Sequence, residues 1–328
     1  MHPGFKSACL FDIERVKANL LKNSTYPCIK GSDFLMYYMQ NQDGKTFDAK
    51  HFLSLLRNKR LAVIGDSLAL QNFQALEQEL LCEETSRRNG NGTVDHVTLL
   101  TPEGKPWKSR SYFPHIIAGV RYYGTYDTTI SWCVDQRLSS TTSKVFFDFC
   151  GKNAIMSDVI LIGIGAHYKP LYINHTETDY YGSMYRSSDY LVNCIYPFRE
   201  LVKKLNPNAI VMWRDYSHVG NHDELMHNAT EMGVPMDPKR RNNGALWKHS
   251  GEEATWVSFY NKQFRKIADL YGDVYVEFNN VSHVVLDFFL DKHTVHADAL
   301  HYCSAGLPRM ANILIEDALD SRINVGIS

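Results

Sequence analysis

"LAVIGDSLALQNFQALEQELLC", residues 61–82, decides how the rest of the chain is read. A short apolar run meets a Gly-Asp-Ser turn, after which Ala69, Phe73, Leu76 and Leu80 recur at helical spacing. An uninterrupted apolar strand followed by an amphipathic helix is the start of a βαβ unit, because a strand covered on both faces needs no polar alternation. The pattern extends outward in both directions. Ahead lies the helix "FDAKHFLSLLRNK" (47–59), with Phe52, Leu55 and Leu56 on one face, feeding the strand "RLAVIG" (60–65). Beyond come the strands "DVILIGIG" (158–165), "AIVMWR" (209–214) and "DVYVEFN" (273–279). The helices "YPFRELVKKLNP" and "WVSFYNKQFRKIADLYG" precede the last two strands, and "GLPRMANILIEDAL" closes the chain. Strands alternating with amphipathic helices predict a three-layer α/β/α domain on a mainly parallel sheet, with ligands beyond the carboxyl ends of the strands.

The 328 residues suit one such domain, 1–328, with insertions. Residues 83–145 read as β-rich and irregular, a peripheral lobe or hairpins, and the polar stretch 217–254 as a lid or peripheral insertion. With 35 basic and 36 acidic residues the net charge is -1, which argues against a nucleic-acid partner; "PKRRNN" (238–243) reads as a solvated loop. No apolar run is long enough to cross a bilayer, and the N-terminus lacks the apolar core of a signal peptide. Two features still point to the secretory pathway, Golgi lumen or extracellular space. The cysteines Cys9, Cys28, Cys82, Cys133, Cys150, Cys194 and Cys303 are scattered without a CxxC pair, as buried thiols or long-range disulfides would be. Asn-X-Ser/Thr sequons stand at Asn23, Asn91, Asn174, Asn228 and Asn280. The expectation is therefore a targeting segment that lies outside this sequence or is not recognisable in it, with a membrane tether outside it as a further option.

Ser67 has two readings. Serine and aspartate are favoured helix N-caps, so the turn could be purely structural. A serine on a strand-to-helix turn also presents its hydroxyl above the sheet beside backbone amides suited to an oxyanion, provided a base takes its proton. A base stands near the other end of the chain, in "HTVHADALHYCSAGLPRMANIL" (293–314). There Asp298 and His301 lie three residues apart, a spacing that puts both on one face of a helical turn. The carboxylate can hold one imidazole nitrogen while the other faces the serine. The α/β-hydrolase elbow Gly-X-Ser-X-Gly is not met, since position 69 is alanine.

"GDSLALQNFQAL" and "DALHYCSAGLP", the second through Asp298, His301, Cys303, Gly306 and Pro308, resemble the paired signatures of the PC-esterase, or trichome-birefringence-like, family of the GDSL/SGNH hydrolase superfamily. "FLSLLRNKRLAVIGDS", "SDVILIGIGAHY" and "IVMWRDYSH" are collinear with further parts of that family. The resemblance implies an SGNH-like domain with Ser67 as nucleophile, His301 as general base and Asp298 as its orienter. It implies transfer or removal of acyl groups, most often acetyl, on polysaccharide or glycan hydroxyls, with O-acetyl transfer favoured. The acyl donor would be acetyl-CoA or an acyl ester, with no bound cofactor and no metal. It implies Cys28–Cys82 as a disulfide and leaves the partner of Cys303 open. Asp66, Gly163, Gly165 and Arg214 are the expected oxyanion or substrate positions.

The chain departs from the family in places. Gly163 stands where an asparagine commonly completes the oxyanion hole, so an amide at Gly163 or Gly165 would have to substitute. Gly119 and Gly124 are both candidates for the other oxyanion glycine, and His218 and His222 are out of register with the family's histidine. Arg214 reads either as orienting Asp298 or a substrate oxygen, or as a structural salt bridge.

Other functions compete. Water as acceptor makes the same site an acetylesterase, and the Gly163 departure raises a catalytically inactive glycan-binding protein. The run "DKHTVHADALH" holds Asp291, His293, His296, Asp298 and His301, but without the His-Glu-X-X-His pattern of helical zinc enzymes. "GIGAHY" (163–168) has Tyr168 where a dinucleotide fingerprint needs glycine, and His167 reads as a core or rim residue.

Overall fold

The computed structural model describes residues 47–88, 118–135, 138, 144, 147–165, 191–216, 250–279 and 306–325. Its first element is the helix α1, Ala49–Leu55. Asp48 caps it, its carboxylate accepting the amides of Lys50 and His51 at 3.0 Å. The strand β1, Arg60–Gly65, follows and leads directly into α2, Ser67–Arg88. Strands β2 (Ala118–Tyr123) and β3 (Thr128–Val134) form an antiparallel hairpin. The short helix α3 (Lys152–Ile155) precedes β4 (Val159–Gly163), and α4 (Tyr196–Leu205) precedes β5 (Ile210–Arg214). The long helix α5 (Ser250–Tyr271) ends at Gly272, whose φ of 67° is the left-handed cap that glycine adopts without penalty. Then come β6 (Val274–Val276) and α6 (Gly306–Val325).

These strands make one six-stranded sheet in the order β2-β3-β1-β4-β5-β6, parallel throughout except for β2 at the edge. Alternate residues of each strand face opposite layers. Leu61, Val63, Leu161, Met212 and Val276 pack with Phe52 of α1, Phe73, Leu76 and Leu80 of α2, and Ile315 and Leu319 of α6. On the other face, Ile64, Ile160, Ile162, Val211 and Trp213 pack with Phe198 and Val202 of α4 and Tyr260, Phe264 and Ile267 of α5. The expected α/β/α layering on a mainly parallel sheet is what the chain adopts.

One expectation is corrected. Residues 83–145 do not stand wholly apart from the main domain. Residues 83–88 continue α2, and β3 is an interior strand paired in register with β1 from Arg60↔Thr129 to Gly65↔Val134. The stretch read as peripheral because its apolar residues are interspersed with Thr, Ser and Tyr. Ser131 and Thr128 are nevertheless buried, their hydroxyls donating to the carbonyls of Leu61 and Leu56. Residues 217–249 of the expected lid lie outside the described residues, and 250–254 open α5.

The strand order has a consequence for ligands. From β1 the chain passes through α2 to strands on one side of β1, then returns to add β4, β5 and β6 on the other. The helix leaving β1 and the helix following β4 cover opposite faces, so their amino ends diverge at the β1/β4 boundary. In doubly wound sheets this switch point opens a crevice beyond the carboxyl ends of the strands.

Candidate active site

At that boundary the last residues of β1 and β4 are both glycine, paired as Gly65↔Gly163. A Cβ on Gly65 would lie inside the van der Waals shell of the Gly163 carbonyl, and one on Gly163 would come within 3.3 Å of Ala69 Cβ. At position 65 the approach to the β4 backbone is one that only glycine allows. The Asp66 amide donates to the Gly163 carbonyl at 3.1 Å and fixes the turn to β4.

Asp66 is the helix cap. Its carboxylate Oδ1 accepts the amides of Leu68 at 3.0 Å and Ala69 at 3.4 Å, and its carbonyl accepts the Leu70 amide. Asp66, one of the expected oxyanion or substrate positions, is completely buried and holds the start of α2. Ser67 is the first residue of α2, just beyond the carboxyl end of β1, and Asp66 beside it caps the helix. The Ser67 side chain, and Asp298 and His301, lie outside what the structure describes.

Arg214 closes the same row. Ile162 pairs with Trp213, so Arg214 follows beside Gly163 at the end of β5, and on its other side it pairs with Val276. Its side chain points into the α2/α6 layer and is 2% exposed. Nη1 donates to Asn72 Oδ1 on α2 at 2.8 Å. Asn72 Nδ2 in turn donates to Asn312 Oδ1 on α6 at 3.0 Å, and Asn312 Nδ2 to Glu79 at 2.8 Å. The guanidinium also lies over the Phe278 ring, 5.4 Å from its centroid. The Arg214 salt bridge weighed from sequence does not form among the described residues, and Nη2 is buried without a hydrogen-bond partner.

Asp215, one residue on, faces the opposite way. Oδ1 accepts the amides of Phe278 at 2.5 Å and Asn279 at 2.7 Å, tying the end of β6 to β5. Burial raises its carboxyl to about 6, against the pull of those two amides and the Arg214 charge. Next to it, Asn261 of α5 exchanges two hydrogen bonds with the Tyr216 backbone. The Tyr216 ring occupies the space a Cβ on Gly165 would need.

Of the two glycines weighed for the second oxyanion position, topology separates them. Gly119 pairs with Trp132 near the carboxyl end of β3, on the same side of the sheet as Gly65. Gly124 sits at the opposite end, where the hairpin turns before Thr128, and is removed from the crevice. Sequence reading missed Asn72 and Asn312. The available signal was a polar residue on each of two otherwise apolar helix faces, as in "QNF" and "ANILI".

His167, His218 and His222, the sequons, and Cys28 lie outside the described residues, as does the Cys82 side chain. Among the described residues a disulfide joins Cys133 and Cys150, linking the end of β3 to the segment before α3 across a Cα–Cα distance of 5.5 Å. Cys194 is buried. No described helix is long and apolar enough to cross a membrane.

Fold and site together define a doubly wound α/β protein with a serine at the mouth of its switch-point crevice. The sequence matches no protein-family model and no curated protein. Among solved structures it is similar to a protein described as a GDSL-like lipase from Parabacteroides merdae, with a TM-score of 0.42 and 11% identity over 81% of this chain and 98% of the other. It is also similar to two variants of Axe2, a Geobacillus acetyl-xylooligosaccharide esterase. Both have a TM-score of 0.40 over 80% of this chain, at 12% identity over 94% of one variant and 14% over 95% of the other. At these values none of the three assigns a role to any residue of this chain.

Proposed function

We propose that the protein is a serine acyl-enzyme catalyst of the PC-esterase kind within the GDSL/SGNH hydrolases. The observation that carries this is the position of Ser67: first in α2, at the β1/β4 crevice, with helix capping done by Asp66. In this reading Ser67 Oγ attacks an acyl carbonyl while His301, oriented by Asp298, accepts its proton. The carbonyl electrons move onto oxygen. The intermediate then collapses, the bond from the acyl carbon to the leaving group breaks (C–O for an acyl ester, C–S for acetyl-CoA), and His301 returns the proton to the departing alcohol or thiol. An acceptor hydroxyl next attacks the acyl-serine by the same steps in reverse.

The acceptor favoured is a glycan or polysaccharide hydroxyl, with acetyl as the acyl group; water in its place makes the protein an acetylesterase. The donor is acetyl-CoA or an acyl ester. The Cys133–Cys150 disulfide supports an oxidising compartment, consistent with the secretory pathway.

A fluorophosphonate probe tests the chemistry. Labelling is expected at Ser67, with loss in Ser67→Ala and in His301→Ala. An isotopically labelled acetyl donor, followed into acetate or into glycan, separates esterase from transferase. Glycan binding without labelling would instead favour an inactive binding protein, the reading that Gly163 raises.

A further inference from the structure

We propose that Arg214 Nη2 is an oxyanion donor of this site, standing beside the end of β4, where Gly163 has no side chain. The assignment rests on the acyl-enzyme reading above. A developing oxyanion needs donors fixed in advance in a site shielded from water. The amides of Leu68 and Ala69 are already engaged by Asp66, and the Gly163 carbonyl is an acceptor taken by the Asp66 amide. On the same row of strand ends lies a guanidinium that is 2% exposed, with one arm held by Asn72 and Nη2 without a partner.

Gly163 makes that placement possible. A Cβ there would lie 3.1 Å from Arg214 Nε and 3.2 Å from Nη2, so the guanidinium lies directly beside the end of β4, in contact range of the side-chain position that glycine leaves empty. An unpaired buried donor is costly, and a charged one more so, so an anionic oxygen arriving at Nη2 gains more there than in water. The guanidinium needs little reorganisation as charge develops, because Asn72 and the Phe278 ring hold its plane. Nη2 donates a hydrogen bond to the oxygen that receives the carbonyl electrons. No proton leaves it, and the serine proton follows the route given above.

The experiment uses the full chain with 4-nitrophenyl acetate as substrate. Arg214→Gln and Arg214→Lys are expected to lower kcat about a hundredfold or more while leaving KM close to that of the parent. Phosphonylation of Ser67 should slow in parallel, because that adduct carries an oxygen in the oxyanion position. A crystal structure of the phosphonylated parent needs no variant: the phosphoryl oxygen is expected within hydrogen-bond distance of Nη2. Unchanged kcat in folded variants, a rise in KM alone, or a phosphoryl oxygen out of reach of Nη2 would each overturn the assignment while leaving the acyl-enzyme reading intact. No labelling of the parent at Ser67 would overturn that reading and this assignment together.

Discussion

The Asp66 amide and the Gly163 carbonyl, 3.1 Å apart, join the turn after β1 to the end of β4. That bond fixes the turn against its neighbouring strand at the β1/β4 boundary. The glycine pair beneath it is what permits the approach.

Gly65→Ala tests this arrangement. The added methyl meets a backbone carbonyl and the Ala69 Cβ, neither of which can rotate away. A loss of about 1–3 kcal/mol, the usual cost of overpacking, is the expected minimum, read by chemical denaturation. Stability equal to the parent would mean that the two strands do not close as described.

Asp66→Ala removes the acceptor for the Leu68 and Ala69 amides. A loss of about 0.5–2 kcal/mol is expected, whereas Asp66→Asn, which keeps a capping oxygen, should retain most of the stability. The comparison is made by thermal and denaturant unfolding at neutral pH. Equal losses in both variants would show that the cap oxygen is not what the helix needs.

Asp215 predicts a pH dependence. Its folded carboxyl is raised to about 6 from an ordinary 3.8, so between those values the folded state binds the extra proton and the unfolded state does not. Its contribution is therefore fully present below pH 4 and lost as pH rises through 6, on the order of 3 kcal/mol in all. Asp215→Asn keeps an oxygen for the Phe278 and Asn279 amides and should flatten this part of the stability profile. A variant whose profile between pH 4 and 6 matches the parent would assign the slope to other groups.

Asp273 holds three donors at the N-terminal side of β6. Arg199 Nε and Nη2 donate to it at 2.7 and 2.6 Å, and Trp213 Nε1 at 2.9 Å. Both side chains of the ion pair are nearly inaccessible, at 8% and 3% exposed. Asp273→Ala leaves a buried guanidinium and a buried indole N–H unpaired, and is expected to cost about 3–5 kcal/mol. The double variant Arg199→Met/Asp273→Ala should recover part of that loss, since the uncompensated charge is gone. No recovery would place the cost in packing.

By itself the sequence determined the elements and their order. β1, β4 and β5 read as continuous apolar runs because both faces of a central parallel strand are covered, and α2 read from its stripe at Ala69, Phe73, Leu76 and Leu80. These are local patterns, written within a few residues. The sequence also singled out Ser67, and named Gly163 and Arg214 without relating them.

Tertiary structure alone decided what depends on contacts far apart in the chain. It placed β3 inside the sheet rather than in a peripheral lobe, since an interior strand with Thr and Ser is stabilised by carbonyls some 70 residues away. It gave Asp66 a capping role, because its Oδ1 reaches the Leu68 and Ala69 amides. It set Arg214 against Gly163 because register between separate strands, not spacing along one, brings an empty Cβ position to a buried cation.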